Sequence, residues 1–141
     1  MMPIAAAARD AVLLIFGCVA AFIDLRIMVI PNKLTAAGIV IGLLTGAVTG
    51  TLLPAIEGGM SCFALMVIVH LLGCLGEGDV KFSAVVGVFL GPLGGILALS
   101  GAFLIGGLVA AFLLLTGKAT FKQPMPFAPC LLAGMVLIIL L

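Results

Sequence analysis

The chain has 141 residues, 65% of them hydrophobic and 8% charged, with six Lys and Arg against five Asp and Glu and a net charge of +1. With a mean hydropathy of +1.55 it cannot present a charged surface to water, so composition excludes a soluble globular protein and requires a bilayer as solvent. The near-neutral balance also excludes nucleic acid, which needs a clustered basic footprint. At roughly 20 residues per span, the length supplies about six transmembrane helices with short connections. The expectation is an all-α integral membrane protein, a single transmembrane domain over residues 1–141 with no soluble domain.

Pro3 to Ile23 reads as the first span. A removable signal would carry its positive charge ahead of its apolar stretch, whereas Ala5 to Ala8 precede Arg9 and Asp10 here. Ala11 to Ile23 alone would rise only about 20 Å, so Arg9 and Asp10 are expected near one interface and Asp24 at the other. The segment from Asp24 to Lys33 is too charged for the hydrocarbon and too apolar for a free loop. Pro31 disfavours helix at Ile30, and Asn32 is expected to cap the next helix. That second span, Leu34 to Leu53, carries Gly38, Gly42, Gly46 and Gly50 on one face, a smooth stripe for a neighbouring helix. Pro54 to Gly59 reads as a turn and Met60 to Leu75 as the third span. Within it, His70 reads as a hydrogen-bonded structural residue in preference to a proton relay. Cys18, Cys62, Cys74 and Cys130 are scattered through apolar runs without the close pairs of a zinc site, so they read as packing residues and no metal or cofactor is expected.

Gly76-Glu77-Gly78-Asp79-Val80-Lys81 packs three charges and two glycines between two apolar runs. It is the strongest candidate for chemistry, because an ionisable group at or inside a span is expensive to keep there, and glycines let another backbone approach. A plain polar loop between helices is the alternative. Phe82 to Leu90 follows as the fourth run, then Gly91-Pro92-Leu93-Gly94-Gly95. If that breaker is a turn, the fourth helix rises only about 14 Å and Asp79 sits below the surface; otherwise the helix continues, kinked, through Pro92. Ile96 to Leu115 is the fifth span, Gly117 to Pro126 the longest polar connection, and Phe127 to Leu141 a short last span containing Pro129. Alternate crossings gather Arg26, Lys33, Lys81, Lys118 and Lys122 on one side and leave Arg9 on the other. By the positive-inside rule the basic side is cytoplasmic and both termini are outside. Asp24 and Asp79 then share the cytoplasmic end.

Two aspartates brought to one membrane face by separate helices form a chemical constellation. Close carboxyls share a proton, leaving one as base for water and the other as acid for a leaving amine, which hydrolyses a peptide bond without metal or covalent intermediate. No Ser or Cys here has a credible nucleophile setting. An interfacial flank at Asp24 and a helix cap at Asp79 remain the alternative from spacing alone.

Asp24 followed by Ile30-Pro31-Asn32, then Gly76-Glu77-Gly78-Asp79-Val80-Lys81, then Pro126-Phe127-Ala128-Pro129 resembles the type IV prepilin peptidases, GxGD intramembrane aspartic peptidases, in particular their short TadV/CpaA-like forms. The resemblance spans nearly the whole chain. It implies an endopeptidase that removes the short basic leader of type IV, Flp-like prepilins at the cytoplasmic face of the bacterial inner membrane. By matched position Asp24 and Asp79 would be catalytic, with Gly76 and Gly78 shaping the loop of the second aspartate. The implied partners are the prepilin, the lipid bilayer and other pilus-assembly proteins. Long members carry a cytoplasmic segment with paired cysteines associated with N-methylation, and nothing between the spans here matches it, so cleavage without methyl transfer is expected. A non-catalytic pilus-assembly subunit and a small proton-coupled transporter are the competing classes; the latter should show repeated halves, and no repeat is visible.

Overall fold

Apolar runs of this length bury all their backbone polar groups only as helices, because hydrocarbon offers those groups no partner. The computed structural model describes residues 2–120 and 124–141 and is all-helical among them: α1 Met2–Ile27, α2 Asn32–Thr49, α3 Leu52–Leu71, α4 Glu77–Leu115 and α5 Ala128–Leu140. The first four are long and apolar enough to cross a membrane, whereas α5 is a shorter apolar helix. Lys122, counted above among the cytoplasmic charges, lies outside the described residues.

α1 runs past the expected end at Ile23 to Ile27, where Met28 turns left-handed (φ 54°) and its N–H donates to the Asp24 carbonyl at 2.9 Å. Asp24 is therefore inside the last turn of a helix. The connection 28–31 then dips inward, with Ile30 buried against α4, which accounts for its apolar character.

α2 starts behind Pro31, which occupies the N-cap without a side-chain cap. The expected cap by Asn32 does not form, because its side-chain oxygen accepts instead from the Lys81 ammonium at 3.1 Å. Of the four spaced glycines, three pack as expected: Gly38 against Val85, Gly42 against Val88 and Phe89, and Gly46 against Ala55. Gly50 does not, since it ends the helix in a left-handed cap (φ 72°), a conformation that favours glycine.

The turn expected at Pro54 to Gly59 is helix instead, and the reversal sits at Gly50 and Thr51. Proline is tolerated in a helix's first turn, where its missing N–H has no partner to lose. Gly58 and Gly59 are helical because α4 lies against them: a Cβ on Gly58 would collide with the Gly87 carbonyl and the Gly91 backbone.

α4 contains the breaker. Gly91 adopts φ 76° and ψ 179°, and Pro92 supplies no N–H to the Val88 carbonyl four residues earlier. In a straight helix Gly87 and Gly95 would be about 12 Å apart. Here a Cβ on Gly95 would lie 3.0 Å from the Gly87 Cα, so the halves fold back on each other as a hairpin, with the Cys62 thiol against both glycines. The released carbonyls are taken by Arg9, which donates to Val88 O (3.3 Å), Phe89 O (3.2 Å) and the Thr51 hydroxyl (2.7 Å). α5 crosses the second half closely, Gly134 meeting the backbone of Ala98 and Ala102. Phe82, Leu13, Met66, Leu99, Leu131 and Met135 are fully buried between these elements, and large apolar side chains such as Phe22, Leu44, Leu104 and Phe112 face outward.

Candidate active site

Asp79 is the third residue of α4 after the N-cap Gly76, in the first turn, where exposed amides favour a negative charge. Its neighbourhood is set by the two glycines in different ways. Gly78 is closely packed: a Cβ there would stand 3.1 Å from Ile30 Cβ and 3.2 Å from Ile30 N and would push the 28–31 connection away from α4 by a few tenths of an ångström. Gly76 has φ −78° and ψ 160°, which any residue adopts, and a Cβ would meet only Asp79 Oδ2, at 3.8 Å. The described protein therefore has no steric need of glycine at 76, and the space above it stays open beside the carboxyl.

Asp24 reaches the same place from α1. It is 4% exposed, and its Oδ2 accepts a 3.0 Å hydrogen bond from the backbone N–H of Ala128, 104 residues away. That N–H is one of the unpaired donors at the start of α5, so Asp24 caps the helix that follows the late proline-rich segment. Asp24 and Asp79 together line a cavity of about 400 Å³ with Ile30, Asn32, Glu77 and Lys81. Asp79 Oδ1 is buried without a hydrogen-bond partner among the described residues. Buried polar atoms are almost always paired, so an orphaned carboxyl oxygen in a cavity is open to a partner from outside the chain, water included. His70 is no part of this arrangement: its Nδ1–H donates to the Leu75 carbonyl at 2.7 Å and fixes the turn ahead of Gly76, the structural role expected.

A second cavity, about 590 Å³, adjoins the first and shares with it only Gly76 and Asp79. Its walls include Phe103, Gly106 and Gly107 of the second half of α4 and Phe127 and Cys130 at the start of α5. Sequence reading found neither this cavity nor the Ala128 and Lys81 contacts. The readable signals were the adjacent Gly106-Gly107 inside an apolar run and an alanine whose N–H stands between Pro126 and Pro129.

Apolar helices long enough to cross a membrane and a cavity lined by two aspartates at one end of the bundle define a helical membrane protein with an acidic cleft. The family model for the type IV leader peptidase family matches residues 11–111, and this chain belongs to that family. It is 36% identical over 130 residues to the prepilin leader peptidase/N-methyltransferase of Bacillus subtilis (strain 168). That alignment takes in 84% of this chain and 50% of the relative, so the chain spans about half the length of the curated relative it matches. No solved structure matches it.

Proposed function

We propose that this chain is an aspartic endopeptidase of the bacterial inner membrane that removes the short basic leader of type IV, Flp-like prepilins at the cytoplasmic face. The observation that carries the reading is the convergence of Asp24 and Asp79 on one cavity with an Asp79 oxygen left unpaired. The pair holds one proton. The ionised carboxyl takes a proton from water as its oxygen attacks the scissile carbonyl carbon; the protonated carboxyl then gives its proton to the leaving nitrogen as the C–N bond breaks. Gly78 keeps the 28–31 connection closed on the loop, and Gly76 leaves room for the substrate backbone. Both termini lie outside, and the cytoplasmic side carries Arg26, Lys33, Lys81 and Lys118, an orientation that a reporter fused at Leu141 reads directly.

The decisive experiment is leader cleavage in membranes by Asp24→Asn and Asp79→Asn, each with confirmed accumulation. Each is expected to lose on the order of a hundredfold to ten-thousandfold in rate, the contribution of a positioned acid or base. Wild-type-like cleavage by either variant would exclude the dyad, and would leave the chain a non-catalytic assembly subunit.

A further inference from the structure

The two cavities that meet at Asp79 differ in chemistry. The smaller carries Asp24, Glu77 and Asp79 against one cation, Lys81, whose ammonium is already engaged by Asn32. The larger has no charged residue on its described walls other than Asp79, and Phe103, Met125 and Phe127 stand among them. A chain crossing Asp79 therefore passes from an acidic chamber to one without charge on its other described walls.

The floor of the larger chamber is Gly106 and Gly107, both inside a helix that each weakens relative to alanine. A Cβ on Gly106 would make only ordinary contacts with Phe127 and Cys130, and one on Gly107 would meet no described atom within 4 Å. The contrast with Gly58, Gly87 and Gly134, where a Cβ would strike backbone, is sharp. Gly107, like Gly76 at the junction, borders space that no described residue uses. We infer that the substrate crosses Asp79 with its basic leader in the acidic cavity beside Glu77 and its following apolar segment on the Gly106-Gly107 floor, so that Gly107 limits which residues follow the cleaved bond. This rests on the peptidase reading and gives the site a direction.

The test compares wild type, Gly107→Ala and Gly107→Leu on two substrates: a full prepilin, and a peptide with the same leader that ends in polar residues just after the cleaved bond. Gly107→Leu is expected to slow the full prepilin on the order of tenfold to a hundredfold, as overfilling a fitted pocket does, and to slow the short peptide markedly less, with protein accumulation unchanged. Gly107→Ala should fall between. Full-speed cleavage of the prepilin by Gly107→Leu, or an equal loss on both substrates, overturns the path. A second readout needs no turnover: in an Asp79→Asn background with Cys74 and Cys130 replaced by alanine, Gly107→Cys should form a disulfide with a cysteine placed just after the cleavage point and not with one in the leader. The reverse pattern overturns the inference. If wild type cleaves neither substrate, the peptidase reading falls while the crosslink still decides the path.

Discussion

Arg9 is the eighth of the 26 residues of α1 and is bound at the break in α4, so its removal tests the hairpin on which the site depends. Arg9→Ala takes away the donors to Val88 O and Phe89 O and to the Thr51 hydroxyl, and the Val88 carbonyl has no helical alternative because residue 92 is proline. Hydrogen bonds to a charged group contribute about 1.5–3 kcal/mol each, and the two carbonyl contacts are long and share one nitrogen, so we expect a loss of about 2–4 kcal/mol for the closed hairpin. Arg9→Lys should recover part of it, since one ammonium cannot span the positions that the planar guanidinium bridges. Cys62 provides the assay. Its thiol is fully buried against Gly87 and Gly95, inside the fold-back, and becomes reactive only when the two halves of α4 separate from α3. With Cys18, Cys74 and Cys130 replaced by alanine, alkylation of Cys62 in detergent micelles should accelerate roughly thirtyfold to several hundredfold in Arg9→Ala, at one decade per 1.4 kcal/mol. An unchanged labelling rate would refute the claim that Arg9 holds the break closed.

Three further outcomes follow from other contacts. Asp24→Ala should be less stable than Asp24→Asn by about 1–3 kcal/mol in thermal melts, because only the alanine orphans the buried Ala128 N–H, although both should be inactive. Asn32→Ala and Lys81→Met should impair leader cleavage similarly, with the double variant no worse than either single one; additive losses would mean that the 3.1 Å contact is not how these residues act. Pilin matured by this chain in a host without any long-form peptidase should carry a free N-terminal amine by intact mass, because the connections between the described helices are too short and too poor in polar groups to form a pocket for a methyl donor.

The sequence made legible what depends on local chemistry. Apolar runs marked the helices, and Gly91-Pro92 marked the break in α4, since one residue favours the left-handed region and the other lacks a donor. Counting crossings brought Asp24 and Asp79 to one end, and they do share a cavity. What misled was long-range. Pro54, Gly58 and Gly59 carry the signature of a turn, yet the close approach of Gly87 and Gly91 to Gly58, and of Val88 to Gly59, makes the two glycines packing residues, which nothing within residues 54–59 reports. Asn32 has the chemistry of a cap, but Lys81, 49 residues on, takes its oxygen. The donor for Asp24 is a backbone N–H, which no side-chain motif encodes.

Two segments measure independently how deep the carboxyls lie. Along α1, Asp24 is fifteen residues from Arg9, or about 22 Å at 1.5 Å per residue. Along the first half of α4, Asp79 is twelve residues from Gly91, at the end where Arg9 is bound, or about 18 Å. Both rulers start from the same polar layer of Arg9 and Thr51 and stop at the same cavity. A hydrocarbon core is about 30 Å thick, so with that layer at one interface the carboxyls stand on the order of 10 Å below the other. At that depth an ionised carboxylate is costly unless water reaches it, and hydrolysis consumes water in any case. The acidic cavity, with Asn32, Glu77 and Lys81 on its walls, gives water a charged, polar route down to Asp79, whereas the glycine-floored cavity has no charged wall other than Asp79 among the described residues. Under the peptidase function proposed above, water arriving on the side of Asp24 would put the attacking oxygen between the two carboxyls and leave the glycine-floored side for the substrate segment that follows the cleaved bond.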